Sequence, residues 1–384
     1  MKPGVYVHFP YCAKKCPYCD FNSHTIEHDD AQYADVILAE LEHRAGAIEG
    51  PAVSLYFGGG TPSRWDPVQV GRVIRAVRER VRLEPDAEIT LEANPGTVAE
   101  DRLHAYVEQG VNRFSIGTQS FIDAELEALG RIHDAAAGLR AVRAAKATGA
   151  RVSLDLIYAQ PGQSRADVDR SLDAALALEP EHVSAYTLTV EPDTILGRQK
   201  RLGLFEEMPD DDQAALIEHV TNRLAEGGYE RYEVSSYARP GHRAVHNSLY
   251  WTGAPYLGLG AGAHGFTSAA DRSTGRRYGN VKAPERYLTG AFETSFDEAQ
   301  DKSELLIDRL WVGLRPAWGV DLAALSEEFG LDVEGRFAPV LARFVDGGIL
   351  AQDGPRFAPT SRGFLFTDAV ARAILSAARD LPGA

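Results

Sequence analysis

The chain has few cysteines: three in 384 residues, at positions 12, 16 and 19. Thiols confined to one short segment leave nothing from which a disulfide framework can be built. Basic charge is also scarce, with 40 Lys and Arg against 55 Asp and Glu and a formal charge of −15. Without a basic run, a phosphate backbone is repelled, so no nucleic acid partner is expected. No stretch approaches the ~18 apolar residues that read as a membrane-spanning helix, and no amphipathic anchor is visible. The start, Met1-Lys-Pro-Gly-Val-Tyr-Val-His8, lacks the apolar region of a secretory signal. Internal duplication and low complexity are absent too, although Pro382-Gly-Ala384 is expected to fray. These absences lead to the expectation of a soluble, cytoplasmic protein. A hydrophobic content of 44% suffices for one large core or two moderate ones, and two domains are expected.

What is present is an alternation of short apolar runs with helical patterns. Val5-Tyr-Val-His-Phe9 precedes the cysteine segment, after which Tyr33, Val36, Ile37 and Leu41 recur at helical spacing. Val53-Ser-Leu-Tyr-Phe57 runs into Gly58-Gly-Gly-Thr-Pro62, followed by Val70, Val73, Ile74, Val77 and Val81 on one helix face. Further strands are predicted at 88–93, 113–117, 152–157 and 182–188, separated by helical patterns such as Leu139, Val142, Ala145 and Leu172, Ala175, Leu176. The alternation implies a parallel sheet, and six units are too few for a closed eight-stranded barrel.

Beyond residue 205 the repeat ends. Met208-Pro-Asp-Asp-Asp212 reads as a helix start ahead of Leu216, Ile217, Val220 and Leu224. A polar stretch, Thr294 to Ser303, then leads into alternating helices and a hairpin around Asp353-Gly-Pro355. The division expected is 1–205, a linking region 206–293, and a small, mainly helical α+β domain of winged-helix type at 294–384.

The densest chemical signal is Tyr11-Cys-Ala-Lys-Lys-Cys-Pro-Tyr-Cys-Asp20. Three thiolates can hold three irons of a [4Fe-4S] cube and leave the fourth iron open to a small ligand. Two other chemistries use the same residues. Cys16-Pro-Tyr-Cys19 is also the pattern of a redox dithiol, and the three cysteines with His8 or His24 make the donor set of a structural zinc site. The dithiol leaves Cys12 without a role, and zinc sites usually draw on two separated pairs.

The spacing C-x-x-x-C-x-x-C resembles that of the radical S-adenosylmethionine (SAM) family. The resemblance implies an open (β/α)6 partial TIM barrel with its chemistry at the carboxyl ends of the strands. It also implies a [4Fe-4S] cluster on Cys12, Cys16 and Cys19 whose open iron chelates SAM, and whose reduced form cleaves the sulfonium bond to a 5′-deoxyadenosyl radical. A glycine run alone reads equally as a turn. Standing one unit after the cysteines, Gly59, Gly60 and Thr61 are similar to the family segment at the amino group of SAM. Glu92, ending the third strand, is similar to a family carboxylate that contacts SAM. Gln119, Arg131 and Asp155 resemble the nucleotide-side residues of the subgroup that includes oxygen-independent coproporphyrinogen III oxidase. Tyr6 and Tyr18 flank the cluster in the same way, where an aromatic ring excludes water and offers a face to adenosine.

Within that subgroup, one departure and one addition are informative. The oxidases carry a further cysteine two places after the third and a longer N-terminal extension. Here that position is Phe21, and the cysteine motif begins at residue 12. The segment His246-Asn-Ser-Leu-Tyr-Trp251, followed by Tyr256-Leu-Gly-Leu-Gly-Ala-Gly-Ala-His264, resembles the haem chaperones of the subgroup over nearly the full length. That resemblance implies haem or porphyrin as cargo with His246 as its grip, haem-acceptor proteins such as membrane respiratory enzymes as partners, and a homodimer as an accessible state. It assigns no catalytic residue. By residue type, His264 reads as structural, and Tyr250 and Trp251 as packing residues. The competing expectation is a coproporphyrinogen III dehydrogenase making protoporphyrinogen IX, against which the missing cysteine counts.

Overall fold

The computed structural model describes residues 1–379, so the expected frayed end at Pro382–Ala384 lies outside the described residues. All six strand–helix units form. Strands β1 (Gly4–Phe9), β2 (Ala52–Gly59), β3 (Leu83–Ala93), β4 (Arg113–Gln119), β5 (Arg151–Tyr158) and β6 (His182–Thr187) are parallel neighbours in that order. Between them run α1 (Asp30–Arg44), α2 (Pro67–Arg80), α3 (Glu100–Glu108), α4 (Asp123–Ala128) with α5 (Ala135–Ala147), and α6 (Arg165–Ala177). Helix starts are encoded locally. Asp66 accepts the Val68 N–H at 2.7 Å ahead of Pro67 in the first helical position, and Ser164 and Asp167 cap α6 reciprocally. The outward strand face, Val5, Val7 and Phe9 for example, packs with Val70, Val73, Ile74 and Val77 of α2 in one buried core. Each such side chain contributes about 1.5–3 kcal/mol on burial.

The inward face is different in kind. Ser54 lies beside Glu88, Thr90 beside Arg113, Ser115 beside Ser153, and Ser153 beside His182. All of these side chains are buried. Buried parallel sheets are usually apolar on both faces, so a polar lumen needs partners from elsewhere. Residues after 205 supply some of them.

Helices α7 (Ile195–Arg201) and α8 (Asp210–Glu226) lead to β7 (Glu230–Arg231) and β8 (Ser236–Ala238), which extend the sheet beyond β6 in antiparallel fashion. Helix α9 (Val245–Thr252) then closes the end of the barrel where the strands begin. Strand β9 (Tyr256–Leu259) pairs in parallel with β1, and β10 (His264–Ser268), β11 (Thr274–Asn280) and β12 (Thr294–Asp301) continue antiparallel, with α10 (Pro284–Tyr287) between the last two. The result is an open sheet of twelve strands, β12-β11-β10-β9-β1-β2-β3-β4-β5-β6-β8-β7.

The polar stretch from Thr294, expected to open the terminal domain, is thus an edge strand of that sheet, and Asp301 caps the helix that follows. An edge facing water needs no apolar alternation, which hides it from pattern reading. The remainder comprises α11 (Lys302–Gly313), β13 (Val320–Asp321), α12 (Leu322–Phe329), α13 (Val333–Asp346), β14 (Leu350–Asp353), β15 (Arg356–Pro359) and α14 (Thr367–Ala378). Its strands form a separate antiparallel sheet, β13-β15-β14, and Leu306, Leu310, Phe329, Phe337, Leu341 and Ile374 share a second core.

Candidate cluster and nucleotide site

The cysteine loop leaves β1 at its carboxyl end. Its two ends are pinned where the Cys12 N–H donates to the His24 carbonyl at 2.9 Å and the His24 N–H donates to Pro10 at 2.7 Å. A bond from the Cys19 N–H to the Cys16 carbonyl at 3.1 Å closes the turn over Pro17 and Tyr18. All three thiols are free and half-buried. Two of them receive hydrogen bonds from outside the loop: Thr61 Oγ1, just after β2, donates to Cys12 Sγ at 3.3 Å, and the guanidinium of Arg131, between α4 and α5, donates to Cys16 Sγ at 3.6 Å. Donors of this kind favour the thiolate, the form that ligates iron. Burial pushes the Cys19 thiol up, opposed by the Phe21 N–H and reinforced by the neighbouring Cys16 and Cys12. A cationic group among the three sulfurs relieves that cost.

The zinc chemistry is not set up. His8 Nε2 lies 2.8 Å from the Asn22 carbonyl, so it carries the proton, and Nδ1 accepts from Tyr6 Oη at 2.9 Å. Both nitrogens are used, and burial lowers the ring pKa to about 4. His24 Nε2 faces two acceptors, Asn22 Oδ1 at 3.1 Å and the Lys282 carbonyl at 3.2 Å. Among the described residues no three His, Cys, Asp or Glu side chains converge closely enough to hold a single ion. A cube, whose ligands are spaced wider than those of one ion, makes no such demand.

The rim beside the cysteine loop is built from the next strand ends. Gly59 has φ +112°, and a Cβ there would lie 2.5 Å from the His8 ring; one on Gly60 would lie 2.9 Å from the backbone of Phe9 and Tyr11. Only glycine lets this loop lie against the cysteine strand. The Glu92 carboxylate accepts from Tyr56 Oη at 2.7 Å and from the Gly59 N–H at 3.1 Å, tying the glycine loop to β3. Burial raises Glu92 to about 7, against the Tyr56 hydrogen bond and with Asp155 adding. Asp155 is raised to about 6, again chiefly by burial, with Ser184 and Arg113 opposing. Two carboxylates pushed upward in one lumen make a site that favours a cation, such as an amino or sulfonium group.

Gln119 ends β4 with φ +65°, where the register with β5 slips, and Arg131 holds the Gly117 carbonyl at 2.9 Å and Tyr18 Oη at 3.4 Å. Arg131 Nε is buried without a partner. An unpaired buried donor is costly unless a ligand supplies the acceptor. The cysteines, Gly59, Gly60, Thr61, Glu92, Tyr18 and Arg131 are therefore linked directly across one rim, and Tyr6 reaches it through His8. The donor set and the orphan on Arg131 fit a cluster with an anionic or carbonyl-bearing ligand beside it.

His246 lies elsewhere, at the opposite end of the barrel. It is 1% exposed. Its Nδ1 is 2.9 Å from Ser54 Oγ and its Nε2 2.9 Å from Tyr250 Oη, and its ring stacks on Tyr56 at 5.0 Å between centroids. In this arrangement it offers no nitrogen to a ligand. The anchor of that end was not read from the sequence: Glu88 accepts the N–H groups of Val245 and His246 and pairs with Arg151 at 3.2 Å. A signal for it existed. Glu88-Ile-Thr-Leu-Glu92 alternates polar and apolar, which marks a polar inner face on an otherwise buried strand.

Residues 6–175 match the Radical SAM superfamily and residues 300–366 the HemN C-terminal domain. Among solved structures the chain is similar to coproporphyrinogen III oxidase (HemN) from Escherichia coli, described as a radical SAM enzyme. The TM-score is 0.81, covering 97% of this chain and 90% of that one, at 22% identity, which speaks to the fold alone. Fold and rim together define a radical SAM partial barrel with a HemN-type terminal domain. The proteins named heme chaperone HemW from Escherichia coli K12 and Bacillus subtilis 168 are 37% and 30% identical, each covering 97% of this chain and 98% and 99% of their own. The chain belongs to the HemW family of the radical SAM superfamily, a membership that implies a [4Fe-4S] cluster and SAM. Among the described residues no helix is long and apolar enough to cross a membrane.

Proposed function

We propose that this chain is a haem chaperone: it takes haem as cargo and hands it to acceptor proteins, membrane respiratory enzymes among them. The observation that carries this reading is the end-to-end identity with proteins named heme chaperone HemW, 37% over 97% of the chain. Phe21 supports it, standing where a coproporphyrinogen oxidase has a further cysteine.

In this reading Cys12, Cys16 and Cys19 hold the cluster, and SAM lies along Gly59, Gly60, Thr61, Glu92, Gln119, Arg131 and Asp155. When bound, the pair supplies reductive chemistry at a sulfonium centre, or a ligand-dependent ordering of the rim. Thr61 and Arg131 fix two of the sulfurs by hydrogen bonds, the Gly59–Thr61 segment would meet the amino group of SAM with Glu92 as a further contact, and Tyr18 covers the loop against water. A half-buried trio of thiols and an oxygen-sensitive cluster suit a reducing compartment, and we place the protein in the cytoplasm. The test is to incubate reduced, cluster-loaded protein with SAM and coproporphyrinogen III. No protoporphyrinogen is expected; multiple turnovers to protoporphyrinogen would assign the chain to the dehydrogenases.

A further inference from the structure

Between the face of β9–β12 and helices α9, α11 and α12 lies a cavity of about 480 Å³, within the ~300–1,000 Å³ of ligand pockets generally. It is distinct from the cysteine rim. We infer that haem binds in this cavity, with the His264 imidazole as axial ligand to iron and Arg277 and Arg309 facing the propionates. The inference rests on the reading of haem as cargo.

The walls suit a flat, apolar macrocycle. Tyr250 meets Tyr256 edge to face at 4.9 Å, Tyr256 lies 6.4 Å from Phe266, and all three line the space. Phe296 lies edge-on to His264 at 5.1 Å. Aromatic rings of this kind cover a porphyrin face while excluding water.

His264 differs from His246 in every respect that matters for ligation. It opens β10 at the cavity wall, it is exposed, and neither ring nitrogen makes a hydrogen bond among the described residues. Partial desolvation at the cavity mouth and then Lys282 lower its pKa, which favours the neutral ring. His246 stands behind the wall, holding Tyr250 Oη in place.

The cationic side of the cavity is incompletely paired. Arg309 Nε is buried without a partner, and its nearest carboxylate, Glu328 at 3.9 Å, is already bound by Arg272 at 2.9 Å. Arg277 spends one nitrogen on Asp308 at 2.8 Å and lies over the Phe266 ring with donors to spare. A carboxylate pair on the ligand satisfies both, and desolvated arginine–carboxylate contacts are strong and directional.

The test is an anaerobic titration of ferric haem into the cluster-reconstituted full-length chain, read by difference absorbance, with thermal unfolding as the folding control. Wild type should saturate with a histidine-ligated spectrum. His264→Ala should weaken binding at least 10-fold and lose that spectrum, and His264→Cys should convert it to a thiolate-ligated one. Arg309→Gln should weaken binding without altering ligation. Wild-type spectra and affinity in both His264 variants would overturn the assignment, as would loss of histidine ligation in a folded His246→Ala protein alone. If wild type binds no haem, the cargo reading itself fails; if it binds and the His264 variants are silent, only this site does.

Discussion

Glu88 and His246, 158 residues apart, meet at the strand-start end of the barrel, where the Glu88 carboxylate accepts the His246 backbone N–H at 3.0 Å. One buried anion thereby caps α9, neutralises Arg151 and fixes the ring that supports Tyr56. Burial alone would push Glu88 up, but Arg113 and the His246 and Val245 N–H groups outweigh it and hold the pKa below the usual value. A depressed carboxylate adds stability above its unfolded pKa and loses it as pH falls through the folded one. Glu88→Gln should cost about 3 kcal/mol at pH 7, since removal of one partner leaves Arg113 and Arg151 uncompensated. The deficit should shrink below about pH 4. Urea denaturation across pH measures both, and a wild-type-like midpoint at pH 7 would contradict the capping role.

His246→Ala should lower stability by about 2–4 kcal/mol, through the cavity it leaves and the unpaired hydroxyls of Ser54 and Tyr250. The ring is packed against Tyr6 as well as Tyr56. A melting temperature within experimental scatter of wild type would show that the ring does not hold α9.

In the nucleotide lumen the sign is reversed. Glu92 is raised to about 7 and Asp155 to about 6, so the folded, ligand-free protein retains protons that the unfolded chain releases. The contribution of these two carboxylates should be fully present below about pH 4.5 and fall as pH rises towards 7, by up to about 3 kcal/mol for Glu92 alone. Glu92→Gln should remove much of that decline. SAM, whose amino group is cationic, should restore wild-type stability at pH 7.5 but act weakly on the variant. Parallel pH slopes in the two proteins would separate Glu92 from the effect.

Arg131→Gln removes the donor to Cys16 and Tyr18. Groups hydrogen-bonded to metal ligands are worth roughly 10–100-fold in metal affinity, so iron retained per chain against a competing chelator should fall by about that factor. Thr61→Val should act in the same direction through Cys12. Unchanged iron retention in both would mean that the hydrogen bonds to sulfur are incidental.

The parts of this molecule legible in the sequence are those fixed by neighbours in the chain. The cysteine spacing, the glycine loop and the six strands depend on short-range period and punctuation, and each formed within a few residues of its expected place. What was hidden depends on distant partners. Arg131 reaches Cys16 across 115 residues. Glu40, in the interior of α1, is buried to receive Gly260, Asn280 and Tyr287. No local pattern separates it from a solvated helix charge. His246 and His264 illustrate the same limit: residue type could not tell which imidazole would be enclosed and which left open. The edge strand β12 escaped because its polar composition carries no alternation, so it reads as the start of the terminal domain and not as part of the large sheet.

The most direct measurement is haem transfer. Full-length protein loaded with one equivalent of haem is mixed with an apo-haem protein of distinct absorbance, and the acceptor spectrum is followed over time. Expected is stoichiometric appearance of the holo-acceptor spectrum, faster than from free haem at the same concentration and absent when the donor is unloaded. Haem that stays on the donor, or that reaches the acceptor no faster than from solution, would contradict a chaperone.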